Sequence, residues 1–344
     1  MVFRADAGPD VGVGHVFRCM ALAQQWQELG GKALLVMARH NEAMEARLRR
    51  EGVPCRVLGV EPRGMEDANQ TRELALAMGA SWLVADGYAL DAGWIERARP
   101  HRIALWTDYR QCDRLPVDLL INCNPKACRE EYAAAGVDRS VLGLRYLVLR
   151  RDLRAACKGR SIRRRLRRVL VTFGGGAFKE PYLRALAGLR HAPLSQCEAV
   201  VVVGANNPHL LEIQDAARGM PGVTVMPAVD DLATLAASCD LAITAGGATV
   251  WELAALAIPS IVVTLAPNQA PNALHLDEQG GGISLGSEHM GTPDAIASAA
   301  SRMADDLPGF SQRAAQLVDG DGGRRLCEEL CLGMGDDVGF KGNA

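Results

Sequence analysis

The chain has 344 residues, with 38 lysines and arginines against 40 acidic residues and 49% apolar content, so it is near neutral and able to build sizeable cores. That balance gives no general bias toward nucleic acid or membrane surfaces, and no apolar run reaches the roughly 18 residues of a membrane-spanning helix. A single core stops growing at about 250–300 residues, so this length predicts two domains.

The first segment is short and apolar and runs into Gly12-Val13-Gly14-His15-Val16-Phe17-Arg18, which opens an amphipathic stretch through Trp26 and Leu29. This spacing predicts a glycine-rich strand-to-helix turn holding a histidine. Gly12 and Gly14 let the backbone bend and approach a ligand, and the helix start offers free N–H groups and partial positive charge to an anion. Phe17 stands where a dinucleotide fingerprint needs its third glycine, so phosphates beside a titratable imidazole are the better reading. The chain opens Met-Val-Phe-Arg-Ala-Asp rather than with a long apolar segment, and a cytoplasmic location is expected.

Short apolar runs at Ala33–Met37, Trp82–Ala85, Arg102–Trp106 and Leu119–Asn122 alternate with helical-length segments, the pattern of a buried parallel sheet. Polar groups follow these runs: Asp86-Gly87-Tyr88, Thr107-Asp108-Tyr109 and Asn122-Cys123-Asn124. Asp86, Tyr88, Asp108, Asn122 and Asn124 are therefore candidate partners for sugar hydroxyls and amides, with Arg18 assisting from the first helix.

Arg160, Arg163, Arg164, Arg165, Arg167 and Arg168 form a charged run that reads as a solvated connector. The alternation restarts at Val169–Phe173, Glu198–Gly204, Val223–Met226, Leu241–Thr244 and Ser260–Leu265. The predicted organisation is an N-terminal domain over 1–150, a linker over 151–167, a C-terminal domain over 168–335 and an unordered tail over 336–344. Gly174-Gly175-Gly176 and Gly246-Gly247-Ala248-Thr249 each follow a predicted strand and could hold a diphosphate on backbone N–H groups. Glu252, in the helix behind the second turn, could accept from ribose hydroxyls, and Asn268 and Gln269 extend the sugar set. Ten cysteines lack C-x-x-C spacing and read as reduced; Cys327 and Cys331 share a helix face without a completing zinc ligand. No metal or other cofactor is expected.

These motifs, in this order and spacing from the first strand to about Gly282, resemble the UDP-2,4-diacetamido-2,4,6-trideoxy-β-L-altropyranose hydrolases of pseudaminic acid biosynthesis. The residues that carry the resemblance are Phe3-Arg4-Ala5-Asp6 with Gly12 to Cys19, Ala85 to Tyr88 with Trp94, Asn122 to Asn124, Tyr146 to Arg150, Phe173-Gly174-Gly175, Ala245 to Glu252, and Ala266 to Gln269. The resemblance implies the GT-B fold, in which two doubly wound Rossmann-like α/β domains face a central cleft, and kinship to spore-coat polysaccharide proteins and to the N-acetylglucosaminyltransferase of peptidoglycan synthesis. It implies that His15 matches the catalytic base, that Gly246, Gly247 and Glu252 match the UDP site, and that the first domain holds the sugar. Two departures bear on the sugar: Thr107-Asp108-Tyr109 keeps one acid where the family has two, and Gly176-Ala177-Phe178 replaces a hydroxyl residue followed by aspartate.

The expected reaction is inverting attack of water on the anomeric carbon of a UDP-sugar, giving free sugar and UDP. An imidazole, with an unperturbed pKa near ~6.5, suits the base. The rival readings are a GT-B glycosyltransferase, with an acceptor hydroxyl in place of water, and a non-catalytic nucleotide-sugar-binding protein. The partner expected is the UDP-sugar alone; the oligomeric state stays open, and a monomer is compatible with the pattern.

Overall fold

The computed structural model describes residues 1–8, 11–88, 90–205, 207–229, 231–287 and 291–332. The expectation for the tail over 336–344 lies outside these residues.

The first unit is built on seven parallel strands: β1 (Val2–Ala5), β2 (Leu34–Met37), β3 (Cys55–Val57), β4 (Leu83–Asp86), β5 (Ile103–Trp106), β6 (Leu119–Asn122) and β7 (Ser140–Leu142). Their order is β3-β2-β1-β4-β5-β6-β7. β1, β4, β5 and β6 are buried along their whole length, as near-continuous apolar runs covered by helices on both faces should be. The chain reverses direction across the sheet between β1 and β4, where Ala5 lies beside Asp86. The loops leaving these two strands therefore diverge from a common point at the carboxyl edge, the place where a doubly wound sheet receives a ligand.

The second unit repeats the plan with β8 (Arg168–Thr172), β9 (Glu198–Val203), β10 (Val223–Pro227), β11 (Leu241–Ala245), β12 (Ser260–Val263) and β13 (Gly282–Gly286), in the order β10-β9-β8-β11-β12-β13. Its switch point falls between β8 and β11, where Thr172 pairs with Thr244. The two glycine turns singled out in the sequence follow these two strands. β3, β7 and β13 are sheet edges with partly exposed residues and lack the continuous apolar run that marks the central strands.

Two expectations about organisation need correction. The second unit spans Asp152–Asp319, and the chain from Gly320 returns to the first unit. The helix Gly322–Leu332 buries Leu326, Cys327 and Leu330 in the first core, and its Leu330 carbonyl accepts the Trp82 indole N–H at 2.9 Å. Gly322 makes the docking possible, because a Cβ there would collide with the Leu147 backbone. The region 151–167 is likewise more than a linker: Arg151–Lys158 is helical and two arginines of the run cap helices of the second unit, while Arg164, Arg165 and Arg167 are exposed as a solvated run should be. Arg160 donates to the Ala255 carbonyl at 2.6 Å and Arg163 to the Ala237 carbonyl at 2.8 Å, each at the negative end of a helix.

Candidate active site

Gly12 has φ +71, which a glycine adopts without strain, and it exchanges backbone hydrogen bonds with Gly8 at 2.8 and 3.1 Å. The helix Gly14–Glu28 follows. Val13 at its N-cap supplies no side-chain bond and its first turn holds no acid, so this end presents backbone donors to whatever approaches. Gly14 is its first residue, and a Cβ there would meet open space.

His15 and Arg18, three residues apart, share a helix face and both reach the carboxylate at the end of β4. Asp86 Oδ1 lies 2.7 Å from His15 Nδ1, and Arg18 donates to Asp86 Oδ1 from Nη2 at 2.6 Å and to Oδ2 from Nε. Burial alone would raise the Asp86 pKa, but the Arg18 charge and the hydrogen bonds from Arg18 and His15 outweigh it and hold it below the ordinary carboxylate value. An ionised Asp86 only accepts, so His15 presents an Nδ1 proton to it, and Nε2 is the ring atom left to act on a ligand. Arg18 Nη2 and His15 Nδ1, 3.3 Å apart, are then both donors and make no bond to each other.

Arg18 continues the network to Asp108 Oδ1 at 2.7 Å and stacks over Trp106 at 5.3 Å. The two carboxylates outweigh burial and push its pKa further up, so it is a permanent cation here. Asp108 Oδ2 accepts the Tyr88 hydroxyl at 2.8 Å, and the Tyr88 ring stands edge-on to His15 at 4.5 Å and stacks on Tyr109 at 5.4 Å. Burial and the Asp108 charge push the Tyr88 pKa up, so its hydroxyl stays protonated. Asn124 donates to the Asp108 carbonyl at 3.0 Å.

The structure thus gathers His15, Arg18, Asp86, Tyr88, Asp108 and Asn124 in one cluster, but it changes the work of several. Asp86 was expected to receive a sugar hydroxyl; its side chain is fully buried and both oxygens are occupied, so it orients His15 and Arg18 instead. Arg18 is committed to two carboxylates rather than to a ligand. Asn122 is buried, donates to the Tyr132 hydroxyl at 2.7 Å and accepts from Asn124 N at 2.9 Å, which makes it a turn former.

Sequence reading missed a second buried network beside the first. Arg4 on β1 pairs with Asp67 through Nε at 2.7 Å and Nη2 at 2.9 Å, and with Asp6 at 2.7 Å. Asp67 also accepts from Trp94 Nε1 at 3.2 Å and from Arg63 N at 2.8 Å. The available signal was an arginine inside an otherwise apolar strand, which has to find a carboxylate when buried.

In the second unit one glycine of each turn, Gly174 and Gly246, is a steric necessity. A Cβ on Gly204 would lie 2.6 Å from the Gly174 carbonyl, and Gly174 itself has φ +75. Gly175 and Gly247 face open space, whereas a Cβ on Gly246 would lie 2.6 Å from the Gln269 carbonyl. Asn272 donates to the Gly246 carbonyl at 3.0 Å, and Asn207 fixes the other turn through the Gly176 and Phe178 carbonyls at 3.2 and 2.7 Å; neither residue was foreseen. Ala248 caps the helix Thr249–Ala255 without a side-chain bond, and Glu252 is half-buried in its first turn. Gln269 was expected at the sugar, but its side-chain oxygen accepts from Leu265 N at 3.0 Å; Asn268 beside it is exposed.

Among the described residues no group of three or more His, Cys, Asp or Glu is placed to hold a metal ion, and no helix is long and apolar enough to cross a membrane. Residues 169–316 match the glycosyltransferase family 28 C-terminal domain. The spore coat polysaccharide biosynthesis protein SpsG of Bacillus subtilis (strain 168) is 24% identical over 325 residues, which cover 92% of this chain and 94% of that one. The UDP-N-acetylglucosamine--N-acetylmuramyl-(pentapeptide) pyrophosphoryl-undecaprenol N-acetylglucosamine transferase of Mycobacterium bovis (strain BCG / Pasteur 1173P2) is 32% identical over 174 residues, covering 49% and 41% of the two chains. Among solved structures, MurG of Acinetobacter baumannii matches with a TM-score of 0.67 at 16% identity over 96% of this chain and 99% of that one. The chain therefore has the GT-B fold, with two Rossmann-like units; its second unit matches the glycosyltransferase family 28 C-terminal domain, and it is similar to SpsG over nearly its full length.

Proposed function

We propose that the protein hydrolyses a UDP-linked diacetamido-trideoxyhexose, or a close relative, to free sugar and UDP. The first unit supplies the base and the sugar contacts, and the second unit holds the nucleotide on the turns at Gly174-Gly175 and Gly246 to Thr249, with Glu252 toward the ribose. In the reaction a water oxygen forms a bond to the anomeric carbon from the face opposite the leaving group. The bond from that carbon to the diphosphate oxygen breaks, and its electron pair leaves with UDP. The water proton passes to His15 Nε2, and the anomeric configuration inverts.

The observation that carries this reading is the pair between His15 Nδ1 and Asp86 Oδ1 at 2.7 Å. It fixes the tautomer that a base needs, and Arg18 balances the carboxylate so that its contribution to His15 is orientation. Backbone donors at the glycine turns suit a diphosphate, whose charge grows as it departs. The near full-length likeness to a polysaccharide biosynthesis protein supports a sugar-nucleotide substrate, and the resemblance at the motif positions supports nonulosonic acid biosynthesis as its setting.

A second reading, glycosyl transfer to an acceptor hydroxyl, is favoured by the 32% identity to a UDP-N-acetylglucosamine transferase. It uses the same base and the same leaving group. Incubation with a panel of UDP-sugars, without acceptor or added metal, separates the two by NMR. Hydrolysis predicts equal amounts of UDP and inverted free sugar, both lost in His15→Asn; UDP binding without sugar release would move the assignment to transfer.

A further inference from the structure

Arg63 is the one arginine among the described residues with a left-handed backbone, at φ +66. A glycine would take this conformation without strain, whereas a side chain there is uncommon and costs energy. The backbone is pinned by its own N–H, which donates to Asp67 Oδ2 at 2.8 Å, and Asp67 is in turn fixed by Arg4, Trp94 and Thr71. The guanidinium is exposed and makes no hydrogen bond or ion pair among the described residues. It lines the same recess of the first unit as Arg4, Asp6, His15, Tyr88 and Leu90. A strained, pinned backbone that carries a cation with no hydrogen bond or ion pair among the described residues, on the recess of the proposed base, calls for a ligand.

The charges around it say which kind. Arg4 is shared by Asp6 and Asp67, so these three carry one surplus negative charge, and Arg63 balances it. The adjoining Arg18, Asp86 and Asp108 add a further surplus negative charge. An anionic substituent would face net repulsion, while a neutral acceptor can take the Arg63 donors at no such cost. We infer that Arg63 is a specificity residue that binds a neutral acyl carbonyl, such as that of an acetamido group, on the sugar. This rests on the UDP-sugar reading above and adds to it how substituted sugars are told from simple ones.

The test is direct binding by titration calorimetry on the full chain, in a His15→Asn background so that no ligand is consumed. The probes are UDP, UDP-glucose, UDP-N-acetylglucosamine and UDP-glucuronate, measured with Arg63 intact, with Arg63→Lys and with Arg63→Gly. The expected result is that the N-acetyl ligand binds about tenfold or more tightly than the hydroxyl or carboxylate ligand, as a charged donor to a buried carbonyl allows. Arg63→Gly should abolish that ratio without changing the affinity for UDP, and Arg63→Lys should keep only part of it. Melting temperature should hold or rise in Arg63→Gly, since the backbone strain is relieved. A ratio unchanged in Arg63→Gly, no preference with Arg63 intact, or a preference for the glucuronate would each overturn the assignment while UDP still binds. Failure of UDP to bind any of these proteins would overturn the nucleotide-sugar reading, and this inference with it.

Discussion

The two units share a topology and place their candidate residues at the same kind of switch point, yet they equip it in opposite ways. The first fills it with charged side chains that are mostly buried and bonded to one another; the second leaves it to glycines and backbone N–H groups. The difference fits the two halves of the proposed displacement on a nucleotide sugar. A proton must be moved by a group with a defined tautomer, which takes a rigid side-chain network. A diphosphate is large, tolerant in position and already charged, and backbone donors suffice for it.

Breaking the first half should have the largest effect. His15→Asn removes the proposed base and keeps the size of the side chain, so turnover should fall by about 10²–10⁴ with UDP affinity retained, as measured by NMR and calorimetry. Asp86→Asn should follow, because it removes the buried carboxylate that both His15 and Arg18 bond while Arg18 keeps Asp108: a stability loss of about 1–3 kcal/mol by denaturant titration, with turnover falling as the His15 tautomer is released. Breaking the second half should be milder and of a different kind. Gly246→Ala forces the Gln269 backbone aside, at about 1–3 kcal/mol, and should weaken UDP binding, while Gly247→Ala meets open space and should change stability little. Tyr88→Phe keeps the ring against His15 but removes the bond to Asp108, so a few-fold fall in kcat and about 1 kcal/mol of stability are expected.

The comparison sharpens further with pH. The Asp86 pKa is lower folded than its ordinary value of 3.8. Its contribution to stability is therefore full above about 3.9 and is lost as pH falls through the folded value. Melting temperatures taken between pH 6 and pH 2.5 should drop steeply in the acid range, and the Asp86→Asn protein should show a shallower drop there.

How much of this the sequence revealed differs between the two units for a physical reason. Glycine turns after β8 and β11 are legible because steric need is local: few residues but glycine allow the close approaches at Gly204 and Gly246. The positions of Asp86 and Asp108 at strand ends and of His15 at a helix start were also legible, since periodicity fixes where strands stop and helices begin. Their pairing was not. Whether Asp86 faces a ligand or Arg18 depends on which loops the switch point brings together, and that is set by strand order across 68 residues of chain. The return of Gly322–Leu332 to the first core was hidden likewise, because an amphipathic helix shows that it needs an apolar partner without showing which one.

The central claim is that water attacks the anomeric carbon with His15 as base. Single turnover of the UDP-sugar in ¹⁸O-labelled water, followed by mass spectrometry and NMR of both products, tests it most directly. The account predicts one label on the anomeric oxygen of an inverted free sugar, none in UDP, and loss of the reaction in His15→Asn. Label in UDP, a retained anomer, or unchanged turnover in His15→Asn would contradict it.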